Sequence, residues 1–254
     1  MLNPSDLNNQ AHIWYCRLDS PQLQSDPAAF EQQLSAEEGE RYQRFRFERD
    51  RHLYLIAHVF MRQVLTYYTG LTGDRLEFSK NQYGRPELVQ SGRLNTLRFN
   101  LSHTRGVVAL IITASKDCGV DVETRQRMND IKAIAERFFA AQENRALLGA
   151  SDADQVELFF RYWTLKESYI KARGMGLAIP LGKFAFSVPS QTDIRVEFDS
   201  ELNDNRDDWQ FGLFEPGSDH QLAWAIRHDG VPLEVRMHHY IPVAVPCYVS
   251  HTNP

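Results

Sequence analysis

The chain predicts an α+β fold in two comparable halves, and the order of its segments is what predicts it. Residues 12–18 (HIWYCRL) alternate well enough for a first strand, and a long helical stretch follows. Short strands then crowd between residues 97 and 123, two more helical stretches come next, and residues 184–239 read as strands again. Grouped strands and grouped helices, without strict alternation, argue against a parallel α/β sheet. At 254 residues, 43% hydrophobic and 24% charged, the chain has globular proportions and enough length for one large or two small domains.

In the first helical stretch, Ser35 with Glu38 three residues later forms a capping-box pattern. Leu53, Ile56, Ala57, Phe60, Val64 and Leu65 recur at helical spacing up to Gly70, a natural stop, so this is a core helix. A Gly-Arg-Pro turn at 84–86 precedes strands at 97–102, 107–113 and 118–123, whose intervening HTRG and ASKD turns suggest an antiparallel meander. Helices are expected over about 130–148 and 155–173, then strands at FAFSV, IRVEF, WQFGLF and LAWAIRH. The segment 200–208 (SELNDNRDD) reads as an exposed loop, and the tail after Pro242 as packed extension or disorder. A boundary at 114–117 divides the chain into an N-terminal half, residues 1–115, and a C-terminal half with an extension, residues 116–254.

A net charge of −5 argues against general nucleic-acid binding, whose affinity comes mostly from phosphate neutralisation by basic side chains. Any phosphate site must therefore be local. Cys16, Cys118 and Cys247 are scattered, with no CxxC pair, and are expected to be reduced thiols. MLNPSDLNNQ lacks the basic and apolar regions of a signal peptide, and the strongest apolar run, VVALII at 107–112, is far too short to span a bilayer. A cytoplasmic protein is expected, with no membrane association.

The stretch FFRYWTLKESYIKARGMGL, residues 159–177, carries an anomaly. At about 100° per residue, Glu167 falls between Trp163 and Phe160, inside the apolar arc. Pairing with Lys171 at i+4 is one explanation, worth a few tenths of a kcal/mol. A shared cation is another, since a carboxylate drawn toward a core needs a cation or several donors. In GVDVE, Val120 and Val122 point to one face of a strand and Asp121 and Glu123 to the other, which makes the carboxylates neighbours. A solvated strand face explains an isolated D-x-E, but a Mg²⁺ ion held by Asp121, Glu123 and Glu167 would explain all three carboxylates at once.

These segments resemble a known family. GVDVE, the W-x-x-K-E-S-x-x-K core of residues 163–171, and FNLSHTRG before them look like the signature segments of 4'-phosphopantetheinyl transferases of the surfactin-synthetase-activating (Sfp) type. RYQRFRFERDRHLYLIAHVFMR and YGRPEL fit less specifically, and the resemblance spans roughly residues 35–190. It implies a Mg²⁺-dependent enzyme that moves the phosphopantetheine arm of coenzyme A onto a serine of an acyl or peptidyl carrier protein and releases 3',5'-ADP. It also implies two similar α+β halves related by a pseudo-two-fold, with coenzyme A in the cleft between them, and a monomer.

On this resemblance Asp121, Glu123 and Glu167 are the metal ligands, and Glu167, directly or through a metal-bound water, is the general base. A free glutamate is ionised but weakly basic at neutrality, so deprotonation would lean on the metal and on positioning. Lys171 can reach a pyrophosphate oxygen or stabilise the departing phosphate, and Lys166, on another side of the helix, can also meet phosphate. Arg85 and His103 match positions that serve the 3'-phosphate of coenzyme A, Ser102 can add a hydroxyl, and Arg41 and Arg44 are favoured among the arginines of 41–51. Trp163 is core or a cleft wall, and the adjacent His238 and His239 face apart without a site. The helix bearing Arg137 and Arg145, or the segment after Asp117, offers a docking surface for an acidic carrier. Two rivals use the same residues: a Mg²⁺-dependent phosphodiesterase or pyrophosphatase that transfers to water, and a non-catalytic carrier-protein or nucleotide-binding module.

Overall fold

The computed structural model describes residues 7–24, 26–89, 97–126, 130–190 and 192–244. Cys247 and the last ten residues of the tail lie outside the described residues, as do the first six. Cys16 and Cys118 are free and buried. No helix among the described residues is long and apolar enough to cross a membrane.

The chain is mixed α+β, as its segment order predicts. Strand β1 (Gln10–Arg17) is followed by helices α1 (Pro27–Glu31), α2 (Ala36–Gln43) and α3 (Glu48–Thr69). The short hairpin β2 (Phe78–Lys80) and β3 (Pro86–Leu88) leads to β4 (Leu97–Thr104), β5 (Val107–Ala114) and β6 (Cys118–Thr124). Helices α4 (Ile131–Phe138), α5 (Ala141–Gly149) and α6 (Asp152–Arg173) come next. Strands β7 (Phe184–Ser187), β8 (Arg195–Phe198), β9 (Trp209–Phe214), β10 (His220–Arg227) and β11 (Glu234–His239) complete the order.

One sheet runs β11-β1-β5-β4 and a second runs β6-β10-β9. The last strand, β11, returns to pair in parallel with β1, so the C-terminal residues edge the first sheet. Each sheet carries a 22-residue helix on its outer face, and each helix ends at a left-handed glycine: α3 at Gly70 (φ 67°) and α6 at Gly174 (φ 65°). Left-handed φ is open to glycine without steric cost. Three buried clusters make the layers. One joins α3 to the first sheet, one joins α6 to the second, and one lies between the sheets, where Ile13 and Ile111 meet Val120, Val122 and Leu222.

Sequence and structure part at three places. The expected meander stops at β5, because β6 crosses to the second sheet and pairs with β10. The expected helix over 130–148 is two helices, because Phe139 and Ala140 are extended and Glu143 closes on the backbone N–H of Ala140 to start α5. In the expected loop 200–208, Asp204 is buried and accepts hydrogen bonds from Tyr169 Oη (2.7 Å) and Trp209 Nε1 (2.9 Å) besides pairing with Arg173, so the loop is pinned to α6.

Lys166 is the main correction to the sequence reading. It is fully buried and pairs with the equally buried Glu143 at 2.8 Å, while donating to the carbonyls of Leu181 (2.8 Å) and Phe184 (2.6 Å). All three ammonium protons are used, so it cannot meet a phosphate. Burial pulls Lys166 down and pushes Glu143 up, each opposed by the partner's charge. The pair ties α5, α6 and β7 together, since Glu143 also accepts from the Phe186 N–H at 2.8 Å.

Glycine 119 sets the spacing between β6 and α6. A Cβ there would stand 2.1 Å from Ser168 O and 2.5 Å from Ala172 N, so the strand and helix backbones meet directly. Gly119→Ala should therefore cost about 2–3 kcal/mol of stability by urea unfolding, since neither backbone can move aside cheaply. Lys166→Met should cost about 3–5 kcal/mol by leaving Glu143 buried without its cation, and Lys166→Met combined with Glu143→Leu should recover much of that loss.

Candidate active site

Strand alternation puts Val120 and Val122 in the core between the sheets and turns Gly119, Asp121 and Glu123 toward α6. The close approach at Gly119 brings the Ser168 and Ala172 ridge of α6 against β6. Glu167 and Lys171, beside that ridge, are thereby carried to the carboxylates of β6. Strand β4 lies along the other side of β6 and closes the seam with side chains: Asn100 Oδ1 accepts the Val120 N–H (3.0 Å) and Ser102 Oγ accepts the Val122 N–H (3.3 Å). The site is thus built across the line where the two sheets meet.

Asp121 is buried and held by two partners on one oxygen. Lys171 Nζ stands 2.6 Å from Oδ1, and Ser102 Oγ donates to the same atom at 3.1 Å. Lys171 also donates to Ser102 Oγ at 2.9 Å. Oδ2 of Asp121 is buried with no hydrogen-bond partner. Thr104 Oγ1 donates to Glu123 Oε2 at 3.3 Å.

Glu167 is half-buried, and its carboxyl is pushed up to about 7. Burial is the main cause, Asp121 and Glu123 push the same way, and Lys171 opposes them. The weak basicity expected of a free glutamate is therefore corrected: in this setting the carboxyl is poised near neutrality. The i,i+4 explanation also gives way, because Lys171 is committed to Asp121 and Ser102.

His103 is exposed at the end of β4. Desolvation by its neighbours pushes it below the usual histidine range, and the charges of His58, Lys171 and Arg41 push the same way. His58, on α3, is also pushed down, chiefly by burial. It stacks on Tyr54 with ring centroids 3.9 Å apart and donates through Nδ1 to the Tyr54 carbonyl at 2.9 Å. Arg41 lies over the same ring, its guanidinium carbon 5.6 Å from the centroid. The two imidazoles are thus held toward their neutral form beside the Arg41 guanidinium, with Glu38 the nearby charge that favours protonation of His58.

Arg41 and Arg44 also line an open concavity of about 460 Å³ with Glu37, Glu40 and Phe45. Arg44 is well exposed and paired with Glu40 at 3.5 Å. Ser102 is not turned out toward a ligand as expected, because its hydroxyl is spent bridging Lys171, Asp121 and β6. The Arg85 guanidinium caps the end of α6 through Ala172 O (2.9 Å) and reaches Phe99 O and Cys118 O, both at 3.4 Å, while Asn81 Nδ2 donates to Gly174 O at 2.9 Å. A cation at a helix C-terminus is favoured by the helix dipole, and here Arg85 braces the seam from that position. Trp163 is half-buried and stacks on Phe159 with centroids 5.9 Å apart, as a core residue at the edge of the cluster.

Sequence reasoning missed Thr104 and His58. Thr104 was findable, two residues beyond Ser102 on the same strand face. His58, alone among the apolar residues of α3, was the other signal.

The donor set suits a hard divalent cation in charge and type: three carboxylates, one buried oxygen without a partner, and one carboxyl that its neighbours hold back from ionising. As they stand, no three His, Cys, Asp or Glu among the described residues are gathered closely enough to grip an ion. Lys171 occupies the Asp121 oxygen instead.

Sequence comparison accounts for both halves of this arrangement. Residues 117–225 match the profile of the 4'-phosphopantetheinyl transferase superfamily, and residues 21–116 match the N-terminal profile of 4'-phosphopantetheinyl transferase. The chain is 32% identical over 172 residues to the 4'-phosphopantetheinyl transferase HetI of Nostoc sp. (strain PCC 7120), covering 68% of this chain and 72% of that protein. It is 28% identical over 228 residues to the 4'-phosphopantetheinyl transferase Sfp of Bacillus subtilis (strain 168), covering 90% and 97% respectively. With carboxylates, lysine and histidine gathered at the seam between the two matched segments, the chain belongs to the 4'-phosphopantetheinyl transferase family, of the Sfp type.

Proposed function

We propose that this protein transfers the 4'-phosphopantetheine group of coenzyme A to a serine hydroxyl of an apo acyl or peptidyl carrier protein. The observation that carries the proposal is the gathering of Asp121, Glu123 and Glu167 along the seam of β6 and α6, with the Lys171 ammonium 2.6 Å from Asp121. The serine oxygen attacks the β-phosphorus of the pyrophosphate, a serine-oxygen-to-phosphorus bond forms, and the bridging bond breaks to release 3',5'-ADP. Glu167, set beside Asp121 and Glu123, takes the serine proton. Lys171 offsets charge on the pyrophosphate as it divides. Arg41 offers the coenzyme's phosphates a cation on the α3 side with the His103 and His58 rings near it, and Arg44 extends it along the concavity.

In this reading Asp121, Glu123 and Glu167 would hold Mg²⁺, which supplies Lewis-acid polarisation of the pyrophosphate. The enzyme acts as a cytoplasmic monomer, its cleft lying between the two halves. The carrier meets the basic face around Arg137 and Arg145; the segment after Asp117, the other candidate in the sequence, is the buried strand β6 and offers no docking surface.

Incubation of the protein with coenzyme A, Mg²⁺ and an apo carrier should add one phosphopantetheine, about 340 Da by its covalent formula, to the intact carrier mass. EDTA should abolish the gain, and Glu167→Gln should slow it by about 10²-fold or more. Cleavage of coenzyme A with no gain on several unrelated carriers would replace transfer with hydrolysis.

The raised Glu167 carboxyl also predicts a pH dependence of stability. Between about pH 4.5 and about pH 7 the folded protein keeps a proton that the unfolded chain has lost, so stability falls as pH rises through that window. In EDTA this group should remove about 2–3 kcal/mol across the window, and Glu167→Gln should flatten the slope in urea unfolding.

A further inference from the structure

Lys171 has a choice of carboxylates and takes the one that a metal would need. Glu167 lies one turn earlier on the same helix in the favourable order for an i,i+4 pair. The ammonium instead reaches across to Asp121 Oδ1 at 2.6 Å and Ser102 Oγ at 2.9 Å. Ser102 fastens both ends of this contact, because its hydroxyl donates to the same Asp121 oxygen. Meanwhile Asp121 Oδ2 is buried without a partner, and no three ligand side chains among the described residues are gathered around a common point.

We propose that Lys171 is an exchangeable counter-ion: in the metal-free protein its ammonium holds Asp121 in place of the divalent cation, and uptake of that cation releases Lys171 toward the phosphates of the substrate. The proposal rests on the transferase reading above. Its physical basis is that two cations on one carboxylate oxygen repel strongly at the separations found in a half-buried site. An ion on Asp121, at either oxygen, weakens that carboxylate's hold on the Lys171 ammonium.

The side chain is built for this exchange. Lys171 is in the last turn of α6, just before the left-handed Gly174, and its side chain is 27% exposed. A flexible four-carbon stem with an exposed flank can swing. Lys166, five residues earlier, shows the contrast: its side chain is 0% exposed and its ammonium is locked by Glu143 and two carbonyls. An incoming pyrophosphate would give the displaced ammonium a new anionic partner. Metal and coenzyme A should therefore favour each other's binding, and by linkage the coupling is the same in both directions. The exchange also keeps the carboxylates compensated before substrate arrives.

The test is direct Mn²⁺ binding to the full chain, by isothermal titration and electron paramagnetic resonance, with and without coenzyme A. Lys171→Met and Lys171→Gln remove the competing charge, and the glutamine keeps a hydrogen-bond donor beside Asp121 should the methionine variant fail to fold. Without coenzyme A, the neutral variants should bind Mn²⁺ about tenfold or more tightly than wild type, while Lys171→Arg should resemble wild type. Coenzyme A should tighten Mn²⁺ binding by wild type and do so much less for the neutral variants. Equal or weaker Mn²⁺ binding by both neutral variants, with wild type still binding, would overturn the exchange and leave the transferase reading standing. Absence of Mn²⁺ binding by every form, even with coenzyme A, would overturn the metal reading together with the exchange.

Discussion

The contact on which the site depends is the backbone-to-backbone approach of β6 and α6 at Gly119. A side chain at that position would collide with the Ser168 carbonyl and the Ala172 amide, so only glycine lets the strand lie flat on the helix. That flatness puts Asp121 and Glu123 within electrostatic reach of Glu167, and Lys171 within hydrogen-bond reach of Asp121. The rest of the C-terminal architecture steadies the same helix. Lys166 and Glu143 fasten its middle to α5 and β7, Asp204 takes Tyr169 and Arg173, and Arg85 caps its end. Each of these anchors uses a polar group that would be costly to bury alone, which is why each is matched with a partner.

The electrostatics follow from placing three carboxylates where there is little water. One is satisfied by an ammonium and a hydroxyl, one by a threonine hydroxyl among its contacts, and the third responds by holding its proton up to neutral pH. On the α3 side the Arg41 guanidinium lies near His58 and His103, whose rings are held toward the neutral form. A cation and ring nitrogens at this end suit the phosphates of coenzyme A, and this complementarity links the fold to transfer from coenzyme A.

Much of this was legible in the chain. The core helix ending at Gly70, the capping box at Ser35, and the strands bounded by HTRG and ASKD all follow from local rules, because caps, turns and periodicity are properties of neighbouring residues. The facing of Asp121 and Glu123 away from Val120 and Val122 is likewise a consequence of strand period alone. Lys166 was misread because local pattern cannot distinguish a cation aimed at a ligand from one consumed by a buried carboxylate and carbonyls elsewhere in the fold. The break between α4 and α5 rests on two extended residues, Phe139 and Ala140, and on Glu143 capping the Ala140 N–H, which helical periodicity does not register.

By itself, then, the sequence determined the α+β order, the resemblance carried by GVDVE and W-x-x-K-E-S-x-x-K, and which residue types face one another along each element. Only the tertiary structure decided that Lys171 serves Asp121 rather than Glu167, that Ser102 bridges them, and that Glu167 titrates near neutrality. The physical reason is that burial and Coulomb interactions depend on distances across the seam between β4, β6 and α6, and residues 102, 121 and 171 are brought to that seam from far apart in the chain.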